Sequence, residues 1–178
     1  MYDAAVLGDT IYVPGGYSYS VGSIVDTLFK YSISGNNWTS GPGTGDPAWF
    51  YACFAVNGKI YRIGGYNNAT STALNSTWEY DPQTGTWTEK SDIPYNVELM
   101  GRWLRNDTIF IAGGYNGSSP INTSAFYVVS RDTWIQDSSQ FANLPYTLWG
   151  GASAIYKDTL YLFTGVDTSG NPINRTLY

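Results

Sequence analysis

An all-β repeat fold, about three and a half units of four antiparallel strands each, is predicted by three observations in this 178-residue chain. First, a glycine pair recurs: Gly15-Gly16, Gly64-Gly65 and Gly113-Gly114 are spaced by 49 residues, and a degraded copy, Thr164-Gly165, follows 51 residues later. Second, an apolar-aromatic step stands four residues ahead of each pair, as Ile11-Tyr12, Ile60-Tyr61, Ile109-Phe110 and Leu160-Tyr161. Third, a tyrosine precedes a tryptophan by seven residues in Tyr31/Trp38, Tyr80/Trp87 and Tyr127/Trp134, while the fourth copy reaches Tyr178. Self-similarity near fifty residues means units that cannot bury their apolar faces alone and that make a core by stacking.

Within each unit the apolar runs are short and separated by turn residues, a strand rhythm rather than a helical one. In the second copy the strands are 52–56, 59–63, 76–80 and 86–89. Asn57-Gly58 joins the first two, and Gly8-Asp9, Asn106-Asp107 and Lys157-Asp158 hold the matching places; such pairs accept the positive φ of a tight hairpin. Asp81-Pro82-Gln83-Thr84-Gly85 joins the last two, with Pro fixing φ and Gly supplying a left-handed position. No segment offers an amphipathic helix. The units fall at about 1–44, 45–93, 94–142 and 143–178, the last ending after its third strand.

Four-stranded antiparallel units at this period are the blades of a β-propeller. The double glycine ending the second strand, with the spaced Tyr and Trp of the third and fourth, resembles the kelch-repeat family over essentially the whole chain. The resemblance implies that the glycines let blades approach and that the Tyr and Trp rings fill the core between them. Physics agrees, since glycine removes the side chain where backbones meet and an aromatic ring buries a large area. An unclosed arc would bare the faces of its two end blades. Three arrangements are open: further blades from a longer parent chain, a small four-bladed ring, or self-association of two copies into a seven-bladed one.

Composition narrows the function. The chain is 17% aromatic and 13% charged, carries net charge −5 and has no histidine. Nothing in it courts nucleic acid or an anionic membrane, and no apolar run has the length of a membrane span. Much of the acidic excess sits in hairpin turns, at Asp9, Asp107 and Asp158, so neither a metal site nor a cofactor is expected. The lone Cys53, in an apolar strand, reads as a small buried side chain. Asparagine is more telling: Asn37, Asn68, Asn75, Asn106, Asn116, Asn122 and Asn174 all stand in the Asn-X-Ser/Thr acceptor pattern. All seven are expected at exposed loops or strand ends, which points to a secreted or cell-surface glycoprotein whose export signal lies outside this chain.

Without histidine there is no imidazole base or triad, and the copper-oxidase chemistry known among kelch-like proteins cannot be carried over. Asp46 and Glu98, in connections between blades, are the remaining carboxylate pair. Arg102 and Arg105 lie in the innermost strand of the third copy, where one of them could meet an anionic ligand or pair with a neighbouring blade. Arg62 is expected to pair with Glu79 on the adjacent strand. Among aromatics, Tyr17, Tyr66 and Tyr115 follow the glycine pairs and are expected to pack on the next blade. Trp49, Tyr95, Tyr146 and Trp149 vary in position between copies and, with Arg102, form the candidate ligand-binding set. The expected function is a non-catalytic binding or structural module that meets a protein or glycan partner through its inter-blade loops. A carbohydrate-active propeller enzyme and an intracellular adaptor are the alternatives. An active site would bring Arg102 together with Asp46 or Glu98 in one pocket; a scaffold would leave them dispersed and paired.

Overall fold

The computed structural model describes residues 3–157, 159–163, 165–167, 169–173 and 176–178, so Asp158, Thr164 and Asn174 lie outside the described residues. The first sheet is β1 (Ala5–Leu7), β2 (Thr10–Ser18), β3 (Ser23–Ser32) and β4 (Asn37–Gly41), paired antiparallel in chain order. The second opens with β5 (Ala52–Val56) and β6 (Lys59–Ile63). A separate small hairpin follows, β7 (Tyr66–Asn67) with β8 (Thr72–Ala73), before β9 (Thr77–Asp81) and β10 (Thr86–Lys90) complete the order β5-β6-β9-β10. The third is β11 (Gly101–Arg105), β12 (Thr108–Ala112), β13 (Ser124–Val128) and β14 (Thr133–Ile135), with a 3-10 turn at Val129–Arg131. The fourth has β15 (Ala152–Tyr156), β16 (Thr159–Phe163) and β17 (Thr176–Leu177). The fold is all-β, four antiparallel sheets arranged as propeller blades, and the described residues contain no α-helix.

The turn chemistry follows from the sequence. The first residue of the loop joining the first two strands of each blade has positive φ, at Gly8 (60°), Asn57 (50°), Asn106 (55°) and Lys157 (46°). The aspartates of two of these turns clasp the turn between the third and fourth strands. Asp9 accepts bonds from the Ser34 and Ser32 hydroxyls and the Ser34 N–H, and Asp107 accepts from the Ser130 hydroxyl at 2.7 Å. Those hydroxyl bonds hold both carboxyls below the usual carboxylate range.

Blade-to-blade packing explains the Tyr/Trp spacing. Seven residues separate them because they face each other across one hairpin, in the pairs Tyr31↔Trp38, Tyr80↔Trp87 and Tyr127↔Trp134. Their rings meet at a tilt, with centroids 5.1, 5.2 and 5.1 Å apart. The indole N–H of Trp87 then donates to Pro42 O of the preceding blade at 2.9 Å, and that of Trp134 to Thr77 Oγ1 at 3.0 Å. Between the blades lie apolar clusters, with Tyr12, Leu28 and Tyr80 in the first junction, Tyr61, Ile63 and Tyr127 in the second and Trp103 and Leu162 in the third. Trp38 has no earlier blade to meet among the described residues and is 60% exposed. With Val21, Val25 and Phe29 it borders an apolar cavity of about 570 Å³ on the first blade's outer face.

The second and third glycine pairs sit where a blade meets the connections between blades. Gly114 donates its N–H to Leu148 O at 2.7 Å, and a Cβ there would lie 2.6 Å from Glu98 O. Gly65 repeats the arrangement, with its N–H on Val97 O at 2.9 Å and Trp49 O 2.7 Å from the would-be Cβ.

Candidate functional site

Four places hold the residues singled out from the sequence. The first is the junction between blades one and two. Arg62, on β6, is 1% exposed; its Nη1 donates to Asp46 O at 2.6 Å and its Nη2 to Asp46 Oδ2 at 3.2 Å. Asp26 Oδ1 lies 3.9 Å from Nη1, and the Ser76 hydroxyl donates to Asp46 Oδ2 at 2.8 Å. Burial pulls the guanidinium down from its ordinary value, and Asp46 and Asp26 oppose that. The expected Arg62–Glu79 pair is therefore corrected. Arg62 faces Trp78 across the ladder and Tyr61 faces Glu79. Successive strand residues point to opposite faces, so Glu79 shares a face with Tyr61 and accepts its hydroxyl instead.

The second place is where the first strands of all four blades meet. Asp3, just ahead of β1, accepts the Cys53 N–H at 2.8 Å and Arg102 Nε at 2.6 Å. Ser153 on β15 accepts the Arg102 N–H at 3.1 Å and donates to Arg102 O at 2.7 Å. Arg102 thus ties blades one, three and four at the edge of a cavity of about 430 Å³. Cys53 is buried, and desolvation pushes its thiol well above the ordinary value. Arg105, at the far end of the same strand, is exposed. Among the described residues no hydrogen bond or ion pair joins any two of Arg102, Asp46 and Glu98.

The third place is the run of connections between blades. The premise that Trp49, Tyr95, Tyr146 and Trp149 vary in position between copies is corrected. Trp49, Glu98 and Trp149 bridge Tyr66, Tyr115 and Val166 in turn, and the residues after them, Phe50, Leu99 and Gly150, all have positive φ. They are one repeat position. Three residues earlier stand Asp46, Tyr95 and Tyr146, a second repeat position. All four aromatics are half-buried; Tyr95 donates to Thr123 O at 3.5 Å, and burial raises its phenol above the ordinary value. Tyr17 packs on Trp49 at 5.2 Å and Tyr115 on Trp149 at 5.7 Å, each reaching the next blade's connection.

Glu98 therefore stands where two other blades place tryptophan, and it is 6% exposed. Burial pushes its carboxyl up to about 7. The folded form then binds a proton more tightly than the unfolded chain does, with its value of 4.5. Stability from this group is full below about 4.5 and is lost as pH rises through about 7. Thermal unfolding followed from pH 4.5 to 8 is expected to show that decline. Glu98→Gln should flatten it and raise Tm at the alkaline end, and an unchanged profile would refute the assignment.

The fourth place is the set of acceptor asparagines. Asn37, Asn68 and Asn106 are exposed as expected, but Asn75, Asn116 and Asn122 are half-buried. In Asn75 and Asn122 the side-chain nitrogen is bonded to a main-chain carbonyl. The physical reason is that the repeat uses this position to hold the next connection.

A family model, the KLHDC2/KLHL20/DRC7 Kelch-repeats domain, matches residues 2–178. No curated protein matched the chain. Kelch domains typically mediate protein–protein interaction, which accords with charged groups spent on holding blades together. Matched over nearly all its length, with Gly64-Gly65 and Gly113-Gly114 where one blade meets the next connection, this chain belongs to the kelch-repeat domain family.

Proposed function

We propose that the chain is a non-catalytic binding module of an exported glycoprotein, and that it meets a protein or glycan partner on its inter-blade loops. The observation that carries the binding surface is a continuous ladder of rings between the first two blades. Tyr19 contacts Tyr17 at 5.2 Å, Tyr17 contacts Trp49 at 5.2 Å, and Trp49 stacks on Phe50 at 4.0 Å. Tyr19 ends the ladder 89% exposed. Rings fixed by their neighbours offer contact area at little entropic cost. The non-catalytic reading rests on Arg102 and Asp46 each being engaged by a structural partner, as a scaffold requires. The exported setting rests on the excess of acceptor asparagines.

The binding reading is tested by screening a peptide library and a glycan array, then titrating the best ligand against Tyr19→Ala. The substitution removes an exposed ring without touching the blade core, and about a tenfold loss of affinity is expected. Unchanged affinity would place the partner elsewhere. One observation favours an intracellular adaptor instead, namely the family match to kelch domains that typically bind proteins. A denatured mass equal to the bare polypeptide, from cells that glycosylate exported proteins, would select it.

A further inference from the structure

The acceptor asparagines divide into two groups by what the fold does with them. In Asn75-Ser76-Thr77 and Asn122-Thr123-Ser124, the side-chain nitrogen donates to the outgoing connection, to Ile93 O at 3.4 Å and to Leu144 O at 3.0 Å. The same connection residues return the bond, Ile93 N–H to Asn75 O at 2.8 Å and Leu144 N–H to Asn122 O at 2.9 Å. The first blade has Asp26 at this position. Its carboxylate accepts the Thr44 N–H at 3.1 Å and the Gly45 N–H at 2.6 Å. Three blades thus use one side-chain position to latch the sheet to the connection that leaves it.

The hydroxyl residues of these two acceptor patterns are shut away as well. Thr77 is 0% exposed and receives the Trp134 indole N–H, and Ser124 is 1% exposed. Elsewhere the pattern is open: Asn37 with Thr39 and Asn68 with Thr70 are exposed, and Asn106 is exposed at a hairpin turn. Asn116 is half-buried like the other two, but Ser118 is exposed and the bonds on its side chain are to Oδ1, which accepts the Ser118 and Ser119 N–H groups within its own loop.

We infer that Asn75 and Asn122 are blade latches that stay unmodified, and that N-linked glycans go on Asn37, Asn68, Asn106 and Asn116. The second half rests on the exported-glycoprotein reading and the first half does not. A glycan exchanges one amide hydrogen for a branched sugar. At Asn75 and Asn122 it would have to displace the connection that the nitrogen holds. At the other four it projects from a loop or strand end.

The test is site-resolved glycopeptide mapping of the chain exported from a eukaryotic cell, together with three variants. Glycan is expected at the four open sites and at neither latch. Asn75→Ala and Asn122→Ala should each lower Tm by several degrees with total glycan mass unchanged, whereas Asn68→Ala should lose one glycan with Tm held. Occupancy at Asn75 or Asn122, or a latch variant with unaltered Tm, overturns the latch assignment. A chain bare at every site whose Tm still falls with Asn75→Ala overturns the exported reading and upholds the latches. Bare sites with no fall in Tm overturn both.

Discussion

Arg62→Met is expected to cost about 2–3 kcal/mol of stability, because it removes a buried guanidinium and leaves the carboxylates of Asp46 and Asp26, each 25% exposed, without that cation. Arg62 is 1% exposed and supplies two bonds to Asp46, one on its main-chain oxygen and one on its carboxylate. The residual partners of Asp46, Ser76 at 2.8 Å and Asn67 at 3.5 Å, are neutral and cannot balance its charge. Urea denaturation of the variant checks this, with Asp46→Asn and the double variant closing a thermodynamic cycle. Removing both charges should recover part of the loss, since Asp26 is then the one carboxylate left of the three charged groups. A single-variant loss under about 1 kcal/mol, the scale of an exposed pair, would show that water reaches the guanidinium.

Gly114→Ala should be comparably damaging for a different reason. Its φ is 104°, a region that L side chains avoid. The new methyl would meet Glu98 O and Val97 Cγ2, each at 2.6 Å. Backbone strain of about 1–2 kcal/mol adds to overpacking of about 1–3 kcal/mol. Gly58→Ala separates the two, because Gly58 has φ of 77° with nothing within 4 Å of its would-be Cβ. That control should lose only the strain. Equal losses in the two variants would mean that blade approach does not require the bare glycine.

Much of the propeller was legible because each signal was local and repeated. Asn57-Gly58 marks a hairpin on its own, and Tyr80 and Trp87 are seven apart because one turn brings them face to face. The errors came where the sequence was judged by proximity rather than by parity or register. Glu79 is on the strand beside Arg62, yet the alternation of side chains sends them to opposite faces. Trp49, Glu98 and Trp149 share one backbone role and stand 15 residues ahead of Gly64, Gly113 and Thr164, so the repeat offset carried the signal and the change of side chain at Glu98 hid it. Asn75 and Asn122 satisfy an acceptor pattern and a structural need with the same residues, and the pattern alone cannot separate the two. Asp26 was the available clue, being an Asx residue in the same place without the pattern.

The indole bonds of Trp87 and Trp134 both run from the later blade to the earlier one. At the junction of blades three and four Trp103 of the earlier blade donates to Tyr161 O of the later one, but each of these first two junctions has unlike sides, a tryptophan-bearing face against one that supplies the acceptor. Surfaces of that kind are heterologous, and two copies of the same side do not complement one another. The first three blades share a chemical polarity, like a stack of nested cups, and Trp38 is exposed at the donor end. A blade could complete that bond only by arriving with its acceptor side first.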